Sequence, residues 1–390
     1  GAAISLNGAG IRALSNSNDD VTVSNAGAVS GATFGISATT SGVGGAVTVT
    51  QSGGSTTQTG SDLNAGISAT IANAGNSDQV WVNLTGGVVT ATGDGVFART
   101  AGAGLVKVDV ANGVIVTGGS NSGASNGDGV VAIAAGGGNA IVNNAGVIKG
   151  DPGIIISAIG FGTATTNSSG AVVAIGDGVK SNTVDGANTV SILGAGTVTS
   201  TAANGINATS SGVGLINIKT DPNTVITSTG GLAGILAQQG GTGGVLIDQA
   251  NGTINAGTDG IRATTVNNTI TVNTGAGKIT GGLTGPGAGI FAKASGVNLV
   301  TVNTGAGAVG STGASNWGLT AESAGGDVKV NIGSGGVFDG GARAFTTLAG
   351  SASIVAGGDA VHSVGPGILA LTTDGDSTVT LTAGQTVTAP

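Results

Sequence analysis

The 390-residue sequence has no cysteine, no methionine and no tyrosine, and only 8% of its residues carry charge. Each shortage narrows the field. The absence of cysteine fits the cytosol, and equally fits export of a chain that avoids oxidation. The 11 basic residues never cluster and the net charge is −8. Phosphate recognition needs concentrated Lys and Arg, so nucleic acid is not an expected partner. No apolar run approaches the roughly 18 residues that would cross a bilayer, so no transmembrane segment is expected. Two tryptophans and no tyrosine leave little with which to stack a sugar ring. A single histidine, His362, leaves little choice of base for a nucleophile.

Glycine is abundant instead, at 80 residues. That much glycine ordinarily marks a disordered chain. Here valine and isoleucine alternate regularly, and a mean hydropathy of +0.37 is too high for a solvated coil. The alternation belongs to a repeat. Glycine followed by a branched or aromatic residue recurs at Gly10, Gly35, Gly66, Gly95, Gly129, Gly153, Gly178, Gly205, Gly234, Gly260, Gly289 and Gly318, with a degenerate copy at Ala344-Phe345. The interval averages about 28 residues, so about thirteen copies fill the chain. Each copy holds three short apolar–polar alternations, as in Gly260-Ile261-Arg262-Ala263, Ile270-Thr271-Val272-Asn273 and Lys278-Ile279-Thr280.

Period-two alternation marks strands with one buried face, and glycine every few residues disfavours helix. Ile261 and Ala263 share the inner face. Arg262 points outward, where replacement is expected to cost little. A single coil cannot bury its inner face, whereas stacked coils can, each strand pairing with its equivalent about 4.8 Å away. The expected fold is therefore all-β: a right-handed parallel β-helix (solenoid) of about thirteen coils of roughly 28 residues, three short strands per coil. One domain spanning 1–390 is expected, with 341–390 forming less regular terminal coils. The second strand often ends in Asn or Asp, including Asn273, Asn303 and Asn331. Stacked at a corner, these would form a hydrogen-bonded structural ladder.

Degenerate Gly/Ala/Ser/Thr/Val/Asn coils without cysteine, with recurrent GIxA and VTVxNxGxI segments, resemble the passenger region of bacterial autotransporters, β-helical surface proteins that are often adhesins. The resemblance spans essentially the whole chain. It implies secretion to, or display on, the outer surface of a Gram-negative bacterium. The family's aromatic-rich translocator barrel and a signal peptide have no counterpart in these residues. The chain opens at Gly1 inside the pattern, as a processed or partial chain would.

Residues that could carry chemistry are few. His362 sits in Asp359-Ala360-Val361-His362-Ser363, with no Gly-Asp-Ser-Gly segment anywhere, and reads as an ordinary outward residue. Asp94 and Asp128 occupy the same Gly-Asp-Gly-Val turn in neighbouring coils, and adjacent carboxylates invite a calcium or glycosidase reading. Asp177 and Asp259 fill that slot alone, however, so turn chemistry is the expected role. No metal or cofactor is expected. Gly285-Pro286-Gly287-Ala288-Gly289 does not precede a helix and supports no phosphate cradle. The Thr of Val-Thr-Val could order water in flat rows, but Trp81, Lys107 and Lys329 interrupt the row.

One surface feature stands out. The outward position of Gly-Ile-x-Ala is Phe97, Val131 and Ile155 in three successive coils. This is an apolar strip of the kind that marks an interaction site, unless the loop 118–127 folds over it. The expectation is a non-enzymatic extracellular or cell-surface β-solenoid, acting as a structural stalk or adhesin. Its partner would be a host or cell-surface ligand, or its own kind, by end-to-end or lateral self-association. A filament or coat subunit and a polysaccharide-active enzyme on the same fold are the alternatives.

Overall fold

A computed structural model describes residues 8–61, 64–119, 127–312, 317–361, 366–382 and 384–388. The fold is a β-solenoid of about 13 turns, roughly 27 residues per turn, with 53% strand and, among the described residues, no helix. Described strands pair in parallel with the equivalent strand one coil away, as in Ile261↔Ile290 and Ala263↔Ala292. The chain falls into two compact units, residues 1–190 with 196–198, and residues 191–195 with 199–390.

In the first unit the first strands of successive coils are Ile11–Ser15, Ile36–Thr40, Ala65–Ile71, Asp94–Thr100, Val130–Ala134, Ile154–Ala158 and Val179–Thr183. They pair in chain order. In the second unit the corresponding ladder runs Ile206–Ser210, Ile235–Gln239, Ile261–Thr265, Ile290–Ala294, Leu319–Ser323, Ala342–Thr346 and Ile368–Leu371. The degenerate copy expected at Ala344-Phe345 is in fact an intact one. Ala342 pairs with Leu319 and Ala344 with Ala321, so the motif there is Gly341-Ala342-Arg343-Ala344. A further first strand, Ile368–Leu371, pairs with it.

Alternation explains the core. Ile36, Ala38, Ile67, Ala69, Ile261, Ala263, Ile290 and Ala292 are fully buried, because the Ile and Ala of each Gly-Ile-x-Ala segment face inward and the residue between them faces out. Glycine precedes the strand for want of room. A Cβ on Gly66 would lie 2.7 Å from Val89 Cγ1, and one on Gly260 2.5 Å from Ile279 Cγ2. Val89 and Ile279 belong to the third strand of the same coil, which returns against the point where the coil began.

Two second strands are longer than their sequence suggests. Val47–Gln58 and Val80–Ala91 run on through the corner into the third-strand position. Register shifts at Gln51/Ser52 and Ser52/Ser55, with Gly54 and Gly87 at positive φ, let one strand bend there without ending.

Strand ends supply many of the buried polar groups at the corners, among them the last residues of several first strands. Thr100 Oγ1 accepts from the Gly102 N–H at 3.1 Å. Ser323 Oγ accepts from the Gly326 N–H at 2.9 Å and donates to the Asn298 carbonyl at 2.9 Å. Gln239 holds the Gly241 N–H and the Gly214 carbonyl. Each joins a strand end to a loop backbone that would otherwise be buried without a partner.

Candidate functional site

With the inner face closed by packing, the outward rows are where side chains are free to differ. In the first unit one such row reads Arg12, Ser37, Ser68, Phe97, Val131, Ile155 and Lys180. Phe97, Val131 and Ile155 are therefore direct neighbours in three successive coils. Phe97 and Ile155 are half-buried and Val131 is only 4% exposed, so the apolar surface of this strip is carried by the outer two residues. Residues 120–126 of the loop 118–127 lie outside the described residues. Ser37 and Ser68, though outward-facing, are also buried. Phe34, Asn64, Asp94 and Phe97 line a small cavity of about 170 Å³ at Ser68.

Asp94 and Asp128 are joined through backbone. Asp94 Oδ1 accepts from the Asp128 N–H, one coil on, at 3.1 Å. The same bracket recurs at that slot in the second unit: Asn204 Oδ1 holds the Ala233 N–H at 3.1 Å, and Asp259 Oδ1 holds the Ala288 N–H at 2.7 Å. The electrostatics then diverge. Burial pushes the Asp94 carboxyl up to about 6, against the lowering effect of its bond from Asp128. Burial pushes Asp128 up to about 7; the charges of Asp94 and Asp151 add to this and Lys180 opposes it. Among the described residues no group of three or more His, Cys, Asp or Glu could hold a metal ion. His362 lies outside the described residues.

The Asn rows form ladders on the outer face of the second strand rather than in a buried corner. In the second unit Asn273 Nδ2 donates to Asp248 Oδ1 (2.6 Å), Asn303 Nδ2 to Asn273 Oδ1 (2.8 Å) and Asn331 Nδ2 to Asn303 Oδ1 (2.7 Å). In the first unit Asn143 donates to Asp109 (2.8 Å) and Asn167 to Asn143 (2.9 Å). Asp109 also accepts from Trp81 Nε1 at 2.7 Å and pairs with Lys107 Nζ at 2.8 Å. The Lys107 ammonium lies 5.3 Å from the centre of the Trp81 ring. Two of the residues that interrupt the Thr row, Trp81 and Lys107, thus form one charge-and-ring cluster with Asp109.

Sequence reading missed a groove of about 530 Å³ in the second unit, over the outer face of the first strands. Arg262 lines it. Asp259, whose side chain is 8% exposed, takes an Arg262 Nη1 hydrogen bond at 3.1 Å. Phe291, in register one coil on, sits 4.9 Å from ring centre to guanidinium carbon. Leu232, Leu236, Gln238, Thr264 and Pro286 complete the walls. The one advance signal was the i, i+3 spacing of Asp259 and Arg262 across the glycine turn. A groove formed by several coils has no signature in any one of them.

No protein-family model, curated protein or solved structure matches this chain.

Proposed function

We propose that this chain is a non-enzymatic extracellular or cell-surface β-solenoid, a stalk or adhesin of the kind that autotransporter passengers exemplify. The observation that supports the reading is where variation falls within the repeat. Inward positions of the first strand are Ile or Val followed by Ala in most coils, with Ile156 and Ser181 at the Ala slot and Leu319 and Ala342 at the Ile slot as the departures. The outward position beside them changes from Arg to Ser to Phe to Ile to Lys within one unit. A scaffold that holds its core constant and varies one face is suited to display. Ion pairs on that face, and Asn ladders on the outer face of the second strand, link successive coils. Lateral self-association through Phe97 and Ile155 belongs to the same proposal.

Protease shaving of intact producing cells, followed by immunoblotting, tests the location. Surface display is expected to expose the chain to the protease. Release only after lysis would overturn the reading. Retention of beads coated with the purified chain on cell layers tests adhesion. Light scattering of wild type against Phe97→Asp tests association, with smaller assemblies expected for the variant.

A further inference from the structure

The groove over Arg262 is built differently from the rest of the outer surface. Across the first strands of the second unit, the outward positions carry three cations, Arg262, Lys293 and Arg343, and one carboxylate, Glu322, beside the buried Asp259 in the turn. In a chain of net charge −8, cations thus outnumber carboxylates on this face by three to two, and Arg262 is the cation that lines the groove. Lys293 and Arg343 both lean on Glu322, at 3.4 and 3.6 Å. Arg262 has only Asp259 as a hydrogen-bond partner among the described residues, and its side chain is 48% exposed. A guanidinium offers five N–H donors in a fixed plane. Held by Asp259 at one side and Phe291 at its face, this one is fixed in position with most of its donors unspent.

We propose that this groove is a binding site for an acidic saccharide, whose carboxylate is taken by Arg262. Planar carboxylate suits the guanidinium fork, and the pair gains from a geometry already set by Asp259 and Phe291. The groove's size lies within the usual range for small-molecule sites of about 300–1,000 Å³. Its walls offer apolar surface from Leu232, Leu236 and Pro286 for the C–H face of a sugar. Gln238 and Thr264 can both donate to and accept from hydroxyls. A peptide is less well served. Strand addition needs an unpaired edge, and Ile235–Gln239 and Ile261–Thr265 are each paired on both sides.

The inference rests on the outward faces being display surfaces. Isothermal titration of the full chain tests it, with a tetrasaccharide of alternating glucuronate and N-acetylglucosamine as probe and chitotetraose as its neutral counterpart. The acidic probe is expected to bind about tenfold more tightly or better, and Arg262→Gln to erase that difference. Leu236→Trp, which fills the groove and leaves the Arg262–Asp259 pair intact, is expected to abolish binding. It serves also if Arg262→Gln fails to fold. Equal binding of the two probes, or acidic binding unchanged in the folded variants, would overturn the proposal. Binding of polyglutamate in place of the saccharide would also overturn it. Bead retention without saccharide binding refutes the groove alone and leaves the display reading standing.

Discussion

Ala263 offers the sharpest test of the coil. It is fully buried, and its register partners one coil away on either side are Ala237 and Ala292. Leucine there adds three carbons to an inward slot that alanine fills in most coils. A coil cannot widen alone, because its strands are hydrogen-bonded to both neighbours at about 4.8 Å. Overpacking a close-packed interior costs about 1–3 kcal/mol, and the upper half of that range is expected here. For a unit of this size that lowers the melting temperature by roughly 5–10 °C. The control is Thr264→Leu, next in the chain but outward and half-buried, which is expected to change stability by no more than about 0.5 kcal/mol. Arg262→Leu is a poorer control than the sequence suggested, since it strips a buried carboxylate of its cation. Thermal melts followed by circular dichroism decide the matter. If Ala263→Leu and Thr264→Leu melt together, the inward and outward assignments are wrong.

Other outcomes follow from the ladders and the acids. Asn303→Ala breaks bonds to both Asn273 and Asn331 and is expected to cost about 1 kcal/mol in urea melts; an unchanged midpoint would mean the ladder contributes nothing. Asp94 and Asp128 have folded-state values above the 3.8 of a free carboxyl, so the folded chain binds their protons more tightly. Their stabilisation is complete below about pH 3.8 and is lost as pH rises through about 6 and about 7. After allowance for partial exposure the loss is about 1–2 kcal/mol. The melting temperature should therefore be higher at pH 5 than at pH 8, and Asp94→Asn with Asp128→Asn should flatten that slope; a slope kept in the double variant would place its origin elsewhere. Melts with and without EDTA are expected to coincide, and a drop of many degrees on chelation would make Asp94 and Asp128 metal-ligand candidates.

Most of the architecture could be read from the chain because a solenoid reports itself locally. Each strand carries its own alternation, and the glycine before it records the return of the third strand, as Gly66 does for Val89. What escaped reading arises between coils. The corner-crossing strands Val47–Gln58 and Val80–Ala91 depend on a bulge and positive-φ glycines that do not alter the alternation on either side. The Asn rows were legible, but their depth was not. Position within a strand sets which face a residue takes, and Asn273 directly follows the inward Ile270-x-Val272 pair, one residue out of phase with the core. The Arg262 groove needed three coils in register before its walls came together.

The turn slot before the first strand shows how one backbone solution can carry opposite electrostatics. At Asp94, Asn204 and Asp259 the side-chain oxygen does the same work, receiving an N–H from the coil that follows. That role needs an acceptor and no charge, since Asn204 performs it. Charge is then set by the neighbours. Asp259 has Arg262 three residues on and forms an ion pair with it. At Asp94 burial favours the proton; at Asp128, in the same slot of the next coil, burial does so first and the charges of Asp94 and Asp151 add to it. A carboxylate at this slot is thus structural by its geometry, and its electrostatic surroundings differ with what lies beside it. The slot at Asp259 joins the wall of a groove, whereas the slot at Asp94 and Asp128 ties the stability of the first unit to pH.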